Sequence, residues 1–208
     1  DDFTGASDAA SFLVQGGMKT IMYNALPAEE DLKESCDACV IALKTRTQET
    51  NAAVTVTKEA ARWLKDQGAK HLYIKYCSTF DSTPKGNIGP ILDALLEEYD
   101  QTYTLLCPAL PVNGRIVRDG RLYVNGVPLN ESPMKNHPLT PMWESEISKL
   151  MEPQSHYRTI RDGEAVPEGA KHYYLVPDYV KDEDAEKIVN TYGALPLLSG
   201  GSGLLTAW

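Results

Sequence analysis

The amino-acid sequence predicts an α/β protein with an open, mostly parallel sheet, helices on both faces of that sheet and a small antiparallel β-meander insertion. Short apolar runs alternate with amphipathic helical segments, which implies right-handed crossovers between parallel strands. Several of the runs are continuously apolar, as expected of strands covered on both faces. One segment with two turn dipeptides breaks the alternation. Together these features predict a three-layer, Rossmann-like arrangement.

Six apolar runs are predicted to be strands. They are short and rich in β-branched and aromatic residues, and turn formers or polar residues separate them from the helices. The predicted strands are Thr20–Asn24, Cys39–Leu43, Leu72–Tyr76, Thr102–Cys107, His172–Val176 and Leu195–Ser199.

Three segments are predicted to be helices, because apolar residues recur in them at helical spacing. The clearest covers residues 88–99, where one apolar face alternates with acidic residues. A second runs from about residue 51 to residue 67, and a third covers residues 182–191. Gly68 and Gly193 follow the second and third helices as stop signals.

Residues 114–130 are predicted to form the antiparallel meander. Asp119-Gly120 and Asn125-Gly126 separate short β-prone runs, and both dipeptides favour tight two-residue hairpins. The proline-rich stretch 132–141 follows as a long ordered or gating loop. Two roles for the meander stay open: it covers its own site, or it joins a second copy in a homodimer.

The net charge of −9, from 20 basic and 29 acidic residues, bears on the class of partner. A nucleic-acid-binding protein needs a basic stripe to neutralise phosphates, and the sequence has none, so we expect no nucleic-acid partner. No apolar run approaches the roughly 20 residues that cross a bilayer, so we expect no membrane partner. A site for an anion must therefore gather its own cations.

Cysteines at positions 36, 39, 77 and 107 indicate a protein of the reducing cytoplasm. Cys36 and Cys39 form a single Cys-x-x-Cys pair. Cys39 opens an apolar run rather than a helix, whose N-terminus would lower its pKa, and no second pair completes a zinc site. We therefore interpret the pair as buried thiols and predict no metal site in the chain.

Residues 75–89 carry the densest set of polar groups. The segment leaves the carboxyl end of a predicted strand and enters a helix, and ligands bind at that edge of an open α/β sheet. Lys75, Lys85 and the free N–H groups of the helix suit an anion. A second interpretation is that Ser82 or Thr83 simply caps the helix, and the two interpretations can coexist.

Residues 1–8 have a similar layout, with carboxylates, a hydroxyl and a glycine before a predicted helix. Carboxylates accept hydrogen bonds from hydroxylated substrates, and a hydroxyl that receives a phosphoryl group needs a nearby base. The alternative is a solvated acidic turn. Arg46 follows another predicted strand and suits bidentate binding of a carboxylate, although a surface arginine is common there. We also expect a strand before Asp1 and a continuation of the chain after Trp208.

Gly200-Gly201-Ser202-Gly203 follows an apolar strand and could form a backbone nest for an anion at the start of a further helix. The segment lacks the Lys-Ser/Thr ending of a P-loop, and Leu204 stands where a Gly-x-Ser-x-Gly elbow has its last glycine. Taken alone it is a weak signal. Among the histidines, His137 lies in a polar loop, where packing or loop hydrogen bonding is favoured over a functional role.

Five segments, taken in order, resemble the four-carbon acid sugar kinase family. They are Asp2–Ala6, Lys75–Pro90, Cys107–Arg115, Asn136–Met142 and Gly200–Leu204. The motif Tyr-Cys-Ser-Thr-Phe-Asp-Ser-Thr, which starts at residue 76, is most similar to the sequences of the 3-oxo-tetronate kinase branch. The resemblance covers residues 1–208.

The resemblance implies one half of a two-part enzyme. In that family an N-terminal α/β half binds the sugar acid, and a C-terminal half binds ATP with Mg²⁺. Residues 1–208 would then be the sugar-acid-binding domain, inactive as a fragment. The reaction that the resemblance favours converts 3-oxo-tetronate to 3-oxo-tetronate 4-phosphate, while D-threonate and D-erythronate stay open as substrates.

The resemblance also assigns roles to residues, since phosphoryl transfer depends mostly on positioning and charge stabilisation. Asp2 and Asp81 are the expected catalytic residues: both are expected to hydrogen-bond substrate hydroxyls, and one of them to orient the attacking oxygen. Arg46, Lys75 and Lys85 are expected to hold the substrate carboxylate or the transferred phosphate. The other expected substrate-binding residues are Asp1, Thr4, Ser82, Thr83 and Asn87. The expected ATP-binding residues are Gly200, Gly201, Ser202 and Gly203.

Two other functions stay open at this stage. An oxidoreductase or isomerase acting on the same acids would need a Gly-x-Gly-x-x-Gly fingerprint, which Gly5-Ala6-Ser7-Asp8 does not supply. The other alternative is a non-catalytic module that binds a sugar acid. An in-frame continuation of the gene supports the kinase, and a genuine stop codon supports the binding module.

Overall fold

The computed structural model describes residues 1–27 and 34–208. The α-helices are α1 (Phe3–Gln15), α2 (Thr50–Asp66), α3 (Ile88–Glu98), α4 (Ile147–Met151) and α5 (Asp182–Tyr192). The strands are β1 (Thr20–Tyr23), β2 (Ala38–Ile41), β3 (Leu72–Lys75), β4 (Tyr103–Leu105), β5 (Arg115–Arg118), β6 (Arg121–Val124), β7 (Val127–Pro128), β8 (Arg158–Arg161), β9 (Tyr173–Val176) and β10 (Leu197–Gly200). Short 3-10 helices lie at Pro111–Asn113, Leu129–Glu131 and Pro133–Asn136.

The strands outside the meander pair in parallel. β1 pairs with β2, β3 with β10, and β9 lies between β4 and β8. β10 also reaches β4, because Cys107, just after β4, bridges Gly200 in parallel and accepts a hydrogen bond from the N–H of Gly201 at 3.0 Å. The predicted α/β fold is therefore confirmed, and the six predicted strands form within two residues of their predicted bounds.

The antiparallel meander is confirmed as β5, β6 and β7. Its two turns lie where the sequence predicts them. Asp119 and Gly120 have φ of 52° and 72°, and Asn125 and Gly126 have φ of 51° and 80°. Two successive residues with positive φ are the mark of the tight hairpin turn that Asn-Gly and Asp-Gly favour. Local turn chemistry therefore sets the register of this sheet.

Three differences from the sequence-based expectation concern short elements. The strand β8 and the helix α4 were not predicted. Residues 203–206 form turns rather than the start of a helix. β8 has the pattern of a strand at the edge of its sheet, with Arg158 and Arg161 exposed and Ile160 buried, so its single inward residue gives little periodic signal.

The core lies between α3 and the buried strands. Leu92, Leu95 and Leu96 on one face of α3 are fully buried, and each stabilises the fold by about 1.5–3 kcal/mol. Asp93 on the same helix accepts hydrogen bonds from the hydroxyl of Tyr174 and from Ser155. Among the residues that the structure describes, no helix has both the length and the apolar character needed to span a membrane.

Candidate functional site

The side chain of Arg46 joins three carboxylates, and we refer to these four residues as the Arg46 cluster. The Nε of Arg46 lies 3.0 Å from Asp1, Nη2 lies 2.9 Å from Asp2, and Nη1 lies 3.1 Å from Asp81. Asp81 is buried, whereas the side chain of Asp2 is 34% exposed. The cluster therefore has one carboxylate in the protein interior and one that solvent reaches.

The backbone of Asp1 holds the cluster at the carboxyl ends of two strands. Its nitrogen donates to the carbonyl of Lys75, at the end of β3, at 2.9 Å. Its carbonyl accepts from the N–H of Arg46, which follows β2, at 3.2 Å. Parallel strands bring their carboxyl ends to one edge of a sheet, and that is the edge where ligands bind in this class of fold.

Asp2 has two partners. One carboxylate oxygen accepts from the N–H of Gly5 at 2.5 Å and so caps helix α1, while the other pairs with Arg46. A carboxylate is favoured at this position, because the N-terminus of a helix carries unpaired N–H groups and partial positive charge. The cap fixes the orientation of this carboxylate before any ligand arrives.

Asp81 lies on a strained loop between β3 and α3. Phe80 and Asp81 are both buried and have φ of 65° and 21°, values that non-glycine residues rarely adopt. The hydroxyl of Thr79 donates to one oxygen of Asp81 at 2.6 Å, and Arg46 donates to the other. Such strain persists only where surrounding contacts enforce it, and it is concentrated at functional sites.

Lys75 extends the cluster towards α1 and the glycine-rich segment. Its ammonium lies 3.8 Å from a carboxylate oxygen of Asp8, which also accepts a hydrogen bond from the hydroxyl of Ser202. Gly5 leaves room for this ammonium, since a Cβ there would lie 2.8 Å from Nζ of Lys75. The structure thus brings together, in one region, four of the residues predicted from the sequence: Asp1, Asp2, Lys75 and Asp81.

Asn87 and Ser82 are buried and bonded to protein partners. The amide nitrogen of Asn87 donates to the carbonyls of Thr45 and Gln48 at 2.7 and 2.8 Å, and its oxygen accepts from Thr50 at 3.0 Å. The hydroxyl of Ser82 donates to Gln154 at 2.6 Å. Asn87 therefore positions the segment that carries Arg46.

The remaining predicted residues of this region lie apart from the cluster. Thr4 is exposed on the first turn of α1, and Lys85 is exposed and forms no ion pair within the described part of the chain. The hydroxyl of Thr83 accepts from the N–H of Lys85 at 3.3 Å. The capping interpretation is wrong, because α3 begins at Ile88 and is preceded by Asn87 at the N-cap position, with no side-chain cap.

The glycine-rich segment is packed against a neighbouring strand end. A Cβ on Gly200, Gly201 or Gly203 would lie 2.5 Å from a backbone carbonyl oxygen of the segment 107–109. The N–H of Gly201 already donates to Cys107, and the hydroxyl of Ser202 to Asp8. Glycine is thus required for close approach of two backbones. These two donors are therefore already used within the chain, and ATP binding by residues 200–203 stays a prediction.

A metal ion does not fit the described residues either. Within residues 1–27 and 34–208, no group of three or more His, Cys, Asp and Glu side chains has a metal-binding arrangement. Three aspartates do converge, but the guanidinium of Arg46 occupies the space between them. The described part of the chain therefore shows no group of side chains arranged to hold Mg²⁺.

His137 behaves as interpreted from the sequence, but Cys36 and Cys39 are half-buried rather than buried, and of the four cysteines only Cys107 is fully buried. Burial, and then the neighbouring Cys36, raise the pKa of Cys39 to about 11, so this thiol stays protonated at neutral pH. Burial raises the pKa of Cys107 to about 12. The Nδ1 of His137 lies 2.9 Å from the hydroxyl of Thr140, a hydrogen bond within its own loop.

Three residues of the region were not singled out from the sequence: Asp8, Thr79 and Gln154. Asp8 and Thr79 lie inside the polar segments 1–8 and 75–89, so closer attention to these segments could have found them. Gln154 lies three residues after the end of the short helix α4 and meets Ser82 across 72 positions of sequence. No local pattern signals a contact of that range.

Comparison with known proteins gives a consistent result. The family model described as sugar-binding N-terminal domain matches residues 1–208. A 3-oxo-tetronate kinase of Brucella melitensis is 46% identical over 98% of this chain and 50% of its own length. The chain thus spans about half the length of the curated relatives it matches.

Two solved structures resemble the chain along its whole length. The crystal structure of a Haemophilus influenzae protein has a TM-score of 0.93 at 41% identity, over 100% of this chain and 53% of that one. A domain of unknown function from Bordetella bronchiseptica, with bound citrate and as a domain-swapped dimer, has a TM-score of 0.79 at 26% identity, over 100% and 54%.

Proposed function

The chain belongs to the family of sugar-binding N-terminal domains, and from this premise we propose that it is the substrate-binding half of an ATP-dependent kinase for a four-carbon sugar acid. The proposed reaction phosphorylates the terminal hydroxyl of 3-oxo-tetronate to give 3-oxo-tetronate 4-phosphate. Relatives with 41–46% identity over most of this chain carry the name of that kinase. D-Threonate and D-erythronate are the alternative substrates.

The Arg46 cluster is the observation that carries the proposal. Carboxylates accept hydrogen bonds from the hydroxyl groups of a sugar, and arginine and lysine bind a carboxylate. Asp2 offers an exposed carboxylate next to Arg46, and Lys75 lies nearby at the end of β3. A molecule with hydroxyls at one end and a carboxylate at the other matches this mixture of charges.

The proposed chemistry of this chain is positioning and proton acceptance. Asp2 caps helix α1 and pairs with Arg46. In the proposed reaction its carboxylate accepts the proton of the substrate's terminal hydroxyl while the oxygen of that hydroxyl attacks phosphorus. Asp81, held by Thr79 and Arg46, keeps the guanidinium in place. Asn87 fixes the backbone segment of Arg46. ATP with Mg²⁺ is the proposed phosphoryl donor, to be bound by the remainder of a longer protein.

The structure of the Bordetella protein supports this assignment, since citrate is a hydroxylated carboxylic acid like the proposed substrate. The dimer of that protein supports a homodimer as the proposed assembly. Light scattering coupled to size-exclusion chromatography would measure the mass directly, and a monomer at micromolar concentration would contradict the proposed homodimer.

The test is calorimetric titration of the longer protein with 3-oxo-tetronate, threonate and erythronate, followed by an assay of ATP consumption. We expect the 3-oxo acid to bind most tightly and to be phosphorylated. We expect Asp2→Asn to lower kcat by at least about a hundredfold, since a general base contributes 10²–10⁴-fold.

The matched control is Asp100→Asn, an exposed aspartate after α3. It should leave both binding and turnover unchanged. Sugar-acid binding without ATP consumption in the longer protein would favour the binding module over the kinase. An Asp2→Asn variant with normal kcat would remove this carboxylate from the proposed chemistry.

A further inference from the structure

Gly5 lies where three charged side chains of the candidate site come together. It is buried in the first turn of α1. A Cβ on Gly5 would lie 2.8 Å from a carboxylate oxygen of Asp2, 2.8 Å from the ammonium of Lys75 and 3.2 Å from a carboxylate oxygen of Asp1. These atoms are the ends of side chains rather than backbone. Alanine at position 5 would therefore displace charged groups of the site and leave helix α1 in place.

The ammonium of Lys75 lacks a close partner. Its side chain is only 13% exposed, and the carboxylate of Asp8 lies 3.8 Å away, which is longer than a hydrogen bond. Within the part of the chain that the structure describes, this ammonium donates no hydrogen bond. Buried charges are normally paired and hydrogen-bonded, so the donors of this lysine are available to a ligand.

Asp2 has an acceptor position left for a ligand. One of its carboxylate oxygens accepts from the N–H of Gly5, and the other pairs with Arg46. A carboxylate oxygen can accept two hydrogen bonds, so the oxygen bonded to Gly5 keeps one lone pair. With 34% of its side chain exposed, Asp2 is also easier to reach than Asp1 and Asp81, at 11% and 4%.

Lys75 and Asp2 face each other across a gap above Gly5. Both lie 2.8 Å from the position of a Cβ on Gly5, yet these two described side chains form no ion pair, so their charged atoms are more than 4.0 Å apart. A direct charge-assisted hydrogen bond needs about 2.8 Å. The gap suits one oxygen atom that accepts from the ammonium and donates to the carboxylate, and a hydroxyl is the group that does both.

On the basis of the proposed kinase function, we propose that the terminal hydroxyl of the sugar acid binds in this gap between Asp2 and Lys75, and that Gly5 is the specificity-determining residue that keeps the gap open. An acid whose fourth carbon carries no hydroxyl cannot bridge the two charged groups. The site then discriminates against it, because a donor and an acceptor are left without partners.

The same position gives each group a part in phosphoryl transfer. The hydroxyl oxygen forms the new bond to phosphorus, its proton passes to Asp2, and ADP leaves as its bond to the γ-phosphoryl group breaks. The ammonium of Lys75 lies beside the attacking oxygen and stabilises the negative charge near it. Gly5 acts in this step only through the place that its missing side chain leaves.

The test measures discrimination between two acids by calorimetric titration of the longer protein. The first is the acid that the wild type binds most tightly among 3-oxo-tetronate, threonate and erythronate, and the second is the 4-deoxy analogue of the same acid. We expect the wild type to bind the first at least about tenfold more tightly, as is usual for hydrogen bonds to charged groups.

Gly5→Ala should raise the Kd of the first acid at least about tenfold and bring the ratio of the two Kd values close to one. A purely structural effect of the substitution would weaken both acids alike and leave the ratio unchanged. The Tm should stay within about 4 °C of the wild type, because alanine favours a helix more than glycine while a shift of Asp2 weakens the cap.

The matched control is Gly16→Ala, the same chemical change at the other end of α1. Gly16 is exposed, and a Cβ there would lie 3.1 Å from the carbonyl oxygen of Thr206, far from the charged groups. Both Kd values should equal those of the wild type.

Lys75→Met gives an independent measurement if Gly5→Ala does not fold, since it leaves α1 unchanged. Methionine has no N–H donor, so the ratio of the two Kd values should again fall close to one. A ratio that keeps its wild-type value in either variant, or a wild type that does not discriminate between the acids, would overturn the proposal and leave the kinase assignment intact. A wild type that binds none of the three sugar acids would refute the proposed function, and this inference with it.

Discussion

Arg46 is the residue on which the Arg46 cluster depends, because three carboxylates share it as their cation. A guanidinium has five N–H donors in a plane, so it can pair with several carboxylates at once. A lysine ammonium at this position could not reproduce that planar arrangement of N–H donors. The same side chain is partly exposed, as its proposed second role in binding a ligand requires.

Arg46→Met should lower the free energy of unfolding by about 3 kcal/mol at pH 7, because buried Asp81 loses its charge partner. Arg46→Lys should cost less but should still weaken sugar-acid binding by more than about tenfold, as bidentate contacts are lost. Urea denaturation and calorimetric titration measure the two effects. Arg158→Met, at an exposed position of β8, is the control, and an equal loss of stability in both Met variants would contradict the role of Arg46.

Helices α2 and α3 act together at the scale of elements, because they are tied at both ends of α3. At its N-terminus, Asn87 bonds to the carbonyls of Thr45 and Gln48, just before α2. At its C-terminus, Glu98 accepts from Arg62 at 2.6 and 3.0 Å and pairs with Lys58 at 2.8 Å. This pairing fixes the connection between β2 and α2, which carries Arg46.

Glu98→Gln should lower the Tm by about 2 °C at pH 7, as expected for an exposed ion-pair network. The hydrogen bond from Arg62 lowers the pKa of Glu98 in the folded state, so its contribution is present above its unfolded pKa of about 4.3 and is lost as pH falls through the folded value. The Tm difference should therefore shrink as the pH falls below the unfolded pKa, and it should disappear once the pH is below the lowered pKa of the folded state. Glu168→Gln, at an exposed loop position, is the control. A Tm difference between the wild type and Glu98→Gln that does not change with pH would contradict the expected pH dependence.

At the scale of the whole molecule, the meander is part of the hydrophobic core. Val117 and Leu122 are fully buried, and the backbone of Val117 pairs with that of Tyr179 at 3.0 and 2.8 Å. The insertion is therefore not a detachable flap over the site. It unfolds with the rest of the protein, because its apolar face has no other surface to cover it.

Leu122→Ala should lower the free energy of unfolding by about 2–5 kcal/mol, the usual cost of truncating a buried leucine. Trp fluorescence and far-ultraviolet circular dichroism should report one shared transition in urea. Val127→Ala, at a half-exposed position of the same meander, should change stability far less. Two separate transitions would show that the meander unfolds independently.

The hairpin turns were predictable because their determinants are local: Asp-Gly and Asn-Gly favour positive φ, and both turns form there. The buried strands were predictable from continuous apolar runs. Strand β8 was not, since only Ile160 faces inward. Ser82 and Gln154 meet across 72 positions, a separation that no short-range pattern reports.

By itself the sequence determined the α/β alternation, the turns of the meander and the location of polar segments at strand ends, because period, turn chemistry and charge act over a few residues. Only the tertiary structure decided that Asp1, Asp2 and Asp81 converge on Arg46, across 35 to 45 positions of sequence. It also decided that the glycines at 200–203 serve backbone packing. Those arrangements follow from the spatial order of strands in the sheet, and hydrogen bonds between distant strand ends leave no periodic trace in the chain.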